Sequence, residues 1–173
     1  MDSFSERFTK ALLDAFPEWS DLVRQSVRED HLELEIAAPS GKGQLLVSTA
    51  GEEVTVGFDR WHQHFNEIYW LPGYEGELNE EPFERVIQFL RDFLIDRVVI
   101  RIWTKNGEYA GSSALHLWYS SNDCRGDCLG DHYSLKSWSG RGDLPSTPIN
   151  PDELRKYFQS LEPRSNEGSE GRV

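Results

Sequence analysis

The dipeptide Asn106-Gly107 constrains this chain more than any other pair, because it stands between two runs suited to a pleated sheet. A type I′ turn needs positive φ at both central positions, and Asn-Gly meets that demand best, so "RVVIRIWTK" and "EYAGSSALHLWYS" are predicted to form a hairpin. With two residues in the turn, Lys105 pairs with Glu108, Trp103 with Ala110 and Arg101 with Ser112. This register gathers Val98, Ile100, Ile102, Leu115 and Leu117 on one face. Arg101, Trp103, His116 and Trp118 then share the other.

The rest of the chain reads in the same terms. Leu32, Leu34 and Ile36 alternate with Glu33 and Glu35, the period of a half-buried strand. "QLLVST" and "EEVTVGF" flank "AG" as a second hairpin, with Val54, Val56 and Phe58 facing inward. "HYSLKSWS" is a further strand that sets Trp138 and His132 on one side and Tyr133 and Leu135 on the other.

Helices bracket these strands. Ser3-x-x-Glu6 has the form of a capping box, and Phe4, Phe8, Leu12, Ala15 and Phe16 follow at helical spacing until Pro17. "SDLVRQSV" reads as a further helical turn or two. Asn79 is a good N-cap for a helix whose apolar face carries Phe83, Val86, Ile87, Leu90, Phe93 and Leu94. Asn150-Pro151 opens a terminal helix over 152–161, and "PRSNEGSEGRV" lacks an apolar anchor. The expected architecture is an α+β fold: one antiparallel sheet of about five to six strands with helices packed on one face. It forms a single domain over 1–162, followed by a disordered tail over 163–173.

Charge narrows the functions available. The formal net charge of −12 disfavours nucleic acid and anionic membranes, since phosphate binding requires a basic face, and favours a basic protein partner. The opening "MDSFSERFTKALLDAF" has neither the basic start nor the apolar run of a leader, and no segment is apolar enough for a membrane span. Two cysteines are too few for a disulfide framework, so a reducing cytoplasm is expected.

Three constellations could carry chemistry. The first is "FDRWHQHF", where His62 and His64 of an extended segment point the same way beside Trp61. Zinc would need a third ligand, for which Asp59, His116, Asp131 and His132 are the candidates. A metal-dependent hydrolase with Asp59, His62 and His64 as ligands is therefore the alternative to a loop that anchors or makes contacts. The second, Cys124, Cys128 and His132, would stack only on a helix, which Gly126 and Gly130 oppose. The third is the face with Arg101, Trp103, His116 and Trp118, joined by Trp138, residue types enriched at binding hot spots. Its alternative is a second small core under a loop or the terminal helix. Arg141-Gly142-Asp143 reads as a turn after the last strand. No nucleophile elbow or glycine-rich phosphate loop is present.

The succession "EVTVGFDRWHQHF", an acidic loop, "FERVIQFLRDFL" and "RVVIRIWTKNGEYAG", spanning Glu53 to Gly111, resembles small uncharacterised bacterial proteins and, among these, immunity proteins of bacterial toxin systems. The resemblance implies a cytoplasmic inhibitor that binds one cognate toxin without chemistry or cofactor, and it assigns no toxin-binding residue. The expected function is thus a non-enzymatic acidic binding protein. Its contact residues are expected among Trp61, His62, His64, Arg101, Trp103, His116, Trp118 and Trp138.

Overall fold

The alternating runs form two antiparallel sheets rather than one. A computed structural model describes residues 1–25, 31–65, 82–116 and 130–148, together with 150, 152, 153, 156, 157 and 160. The first sheet has the order β1-β2-β3-β4-β5, with β1 at Arg24–Gln25, β2 at Leu32–Ala37, β3 at Gln44–Ala50, β4 at Glu53–Phe58 and β5 at Trp61–Phe65. The second has the order β7-β6-β8-β9, with β6 at Val98–Lys105, β7 at Glu108–His116, β8 at His132–Lys136 and β9 at Leu144–Pro148. Helix α1 spans Ser3–Ala15 and α2 spans Pro82–Leu94. The α+β class and antiparallel pairing hold, and the count of one sheet is corrected to two.

The core lies where both sheets and both helices present apolar faces. Leu34, Val47 and Val56 align across three strands of the first sheet, and all are buried. Phe89 of α2 stacks on Trp61, with ring centroids 5.5 Å apart, and Phe93 meets Phe58 edge-on at 4.9 Å. Val98, Ile100 and Ile102 close this core from the second sheet, and Trp138 lies against Phe58 and Phe93. The inner faces of both sheets and the apolar faces of both helices share this core.

Several local expectations shift by a residue or two. Asp2, not Ser3, caps α1: its carboxylate accepts from the Ser5 amide at 2.8 Å. Ser5 is buried beneath it and shares a 2.6 Å hydrogen bond with Thr49 of β3, whose hydroxyl also accepts from the Leu32 amide. After α1 the chain makes only a 3₁₀ turn at Pro17–Trp19 and then β1, so the extra helical turns over 20–25 are absent. "WHQHF" is a strand, β5, rather than a loop. The Arg141-Gly142-Asp143 turn joins β8 to β9 rather than following the last strand.

Candidate functional site: the bare face of the first sheet

The predicted hairpin forms, with Asn106 at φ 53° and Gly107 at φ 81° as a type I′ turn demands. Lys105 pairs with Glu108 as expected, but the register shifts between Trp103 and Thr104. Thr104 faces Tyr109 while Trp103 faces Gly111, leaving Ala110 as the extra residue of a β-bulge. Arg101 therefore pairs with Ser113 rather than Ser112. Because side chains alternate with period two, this single insertion moves all of β7 beyond it to the opposite face.

The aromatic and basic patch does not assemble for that reason. Arg101 and Trp103 remain together, the guanidinium carbon 4.2 Å from the ring centroid. Leu115 joins their face, and His116 turns to the helix side of the sheet. Trp103 is 5% exposed, packed in a second cluster with Val99, Leu115, Tyr133 and Leu135 beneath Leu144 and Tyr157. Trp138 belongs to the main core, and Trp118 lies outside the described residues. The alternative of a second small core is what the second sheet builds. Tyr157 reaches it from the terminal segment, which is helical at 152, 153, 156, 157 and 160 and is capped by Asn150.

His116 enters a buried polar cluster instead. Its Nε2 lies 3.5 Å from the Asp92 carboxylate, which also accepts from Gln88 at 3.1 Å and Arg97 at 3.4 Å. Burial holds the His116 imidazole below its ordinary value, and the Asp92 charge opposes that shift only in part.

The histidines of β5 lie on quite different ground. Trp61 and Phe65 point into the core, while His62 and His64 point to solvent with ring centroids 5.1 Å apart. Cross-strand register sets His64 beside Thr55 and Ser48, ending at Glu33, with Arg24 beyond. The adjacent row runs His62, Gly57, Leu46, Glu35. No described helix covers these rows: Glu33, Glu35, Leu46, His62 and His64 are all exposed. Gly57 contributes no side chain, so a hollow of about 510 Å³ opens over it, walled by Glu35, Gln44, Leu46, Thr55, Asp59 and His62.

His64 is the best-held side chain here. Its Nδ1 lies 2.6 Å from Glu53 Oε1 and 3.0 Å from Thr55 Oγ1. Asp59 occupies the β4–β5 turn at φ 55°, a conformation that Asp tolerates. Asp131 and His132 stand at the start of β8 in the second sheet, bonded to each other at 3.1 Å. Asp131 also accepts from the Asn106 amide, and the bond from His132, its strongest influence, holds its carboxyl below the usual range. Among the described residues no group of three or more His, Cys, Asp or Glu side chains is placed to hold a metal ion. The three-ligand centre that a hydrolase requires therefore does not form from Asp59, His62 and His64. Cys124 and Cys128, along with the Asn79 cap and the tail, lie outside the described residues.

Glu33, Glu35, Leu46 and Gly57 were absent from the predicted contact set, although strand alternation places them beside the histidines. Reading β2 through β5 as four registered strands would have found them. No described helix is long and apolar enough to cross a membrane. Comparison with protein-family models, curated proteins and solved structures finds no match to this chain.

Proposed function

We propose that this chain is a non-enzymatic, acidic binding protein of the cytoplasm, of the immunity-inhibitor type, that docks a basic protein partner on the bare face of its first sheet. One observation carries the reading: a flat, registered face holds Glu33, Glu35 and Glu53 around an apolar point at Leu46 and a hollow at Gly57. Two described cations stand there as well: Arg24, set on that face by strand pairing, and Arg60, which lines the hollow. The chain as a whole carries −12, so its field has the same sign as the face and would speed encounter with a cationic surface. Inhibition of a toxin then follows from occlusion, with acidic side chains setting orientation and Leu46 and the imidazoles supplying desolvated contact.

A photo-crosslinking residue placed at Leu46 tests the reading in cells. The expected result is one discrete adduct with a basic polypeptide, absent when the same residue replaces Ile95, which is exposed on the α2–β6 turn. Equal labelling from both positions, or an acidic adduct, would count against it.

A further inference from the structure

The same strand carries a second feature, a pair of imidazoles that the docking reading treats only as contact surface. We propose that His62 and His64 form a two-ligand site for a zinc-class divalent ion, with Glu53 as the carboxylate that orients one ligand. The geometry comes from the strand itself: residues two apart project to one side, and β4 fixes both backbones through the Gly57–His62 and Thr55–His64 pairs. Two imidazoles sharing a zinc at 2.0–2.1 Å each must bring ring nitrogens to about 3.3 Å. Centroids 5.1 Å apart put that spacing within reach of small side-chain rotations. Gly57 leaves the His62 ring room to make them, since the contacts nearest its missing side chain begin at 3.6 Å.

The second observation is the Glu53–His64 bond of 2.6 Å. An ionised carboxylate accepts the Nδ1 proton, which leaves the lone pair on Nε2, the nitrogen turned away from Glu53. Zinc-ligating histidines characteristically make this carboxylate bond, which fixes the tautomer and raises basicity. Glu53 is thereby committed to Nδ1 rather than to an ion, consistent with the lack of a three-ligand group among the described residues. Among the described residues no third His, Cys, Asp or Glu side chain completes the coordination. The site would therefore bind an exchangeable ion open to water or to a donor atom from another molecule. Its chemistry is capture, not hydrolysis.

Zinc chloride titrated into untagged, chelator-treated protein against a chromophoric indicator tests this proposal, with cobalt(II) spectra as a second readout. One ion per chain should bind saturably, and more weakly in acid, where protons compete for the ligand nitrogens. Substituting both histidines (His62→Ala with His64→Ala) should abolish binding, and Glu53→Gln should weaken it by about tenfold with both ligands intact. All three side chains are partly or fully exposed, so circular dichroism should report an unchanged fold. Absence of saturable binding overturns the proposal. So does binding that survives in the double-histidine variant, which would place the ion elsewhere on the chain.

Discussion

The two sheets are built from similar alternating runs, yet one keeps a face in water and the other buries both. In the first, Leu34, Val47 and Val56 point to the helices while Glu33, Glu35 and His64 stay outside. In the second, Ile100 and Ile102 enter the main core, and Val99, Trp103 and Leu135 enter a second one. An exposed tryptophan, histidine and arginine patch was the obvious functional surface from composition, but burial is decided by what packs on a face. Here Tyr157 and Leu144 pack against the cluster that holds the tryptophan. Among the described residues, the plainer sheet is the one that keeps an exposed face.

This contrast can be broken by mutation. The largest effect is expected at Trp103→Ala, which removes a buried indole and should cost about 3–5 kcal/mol by urea unfolding. A loss below about 1 kcal/mol would mean that this face is open after all. Next comes Gly130→Ala: an added Cβ would lie 2.2 Å from the Thr104 carbonyl oxygen, so β8 must move. Overpacking of that kind costs about 1–3 kcal/mol, visible as a lowered melting temperature. Asp2→Ala, which removes the α1 cap, should cost about 1 kcal/mol. On the bare face, Leu46→Ala should change stability by no more than about 0.5 kcal/mol.

His116 makes the buried side of the second sheet sensitive to pH. Its imidazole titrates lower in the folded chain than the ordinary 6.5, chiefly because it is buried. The unfolded chain therefore binds the extra proton first as pH falls. This contribution to stability is complete above the ordinary histidine range and is lost as pH drops below about 6.5 toward the folded value. Urea titrations at successive pH values should show His116→Gln with a shallower acid decline than the native chain. An identical decline would assign the acid sensitivity to other groups.

How much was legible follows from where local rules were sufficient. The Asn106-Gly107 turn, the inward Val54, Val56 and Phe58, and the apolar face of α2 rest on short-range periodicity, and all three stand. The bulge at Ala110 was not legible: nothing in "EYAGSS" distinguishes a strand of uniform register from one with an inserted residue. That insertion alone exchanged His116 for Leu115 across the sheet. Trp138 was misplaced for a related reason, since it follows the end of β8 at Lys136 and answers to the Phe58 and Phe93 rings rather than to strand alternation. The exposure of His62 and His64 could be read from Trp61 and Phe65 on either side. Their partner Glu53 could not, because its approach depends on β4–β5 pairing.

The proposed docking places the functional contact on the exposed acidic face and not on the tryptophan face. The direct measurement is the affinity of the partner captured through position 46 for the native chain and for Glu33→Lys with Glu35→Lys, at low and high salt. A charge-steered interface predicts at least a tenfold loss in the double variant, mainly through slower association, and a smaller difference at high salt. Equal affinities for the two chains, with salt dependence unchanged, would move the contact off this sheet.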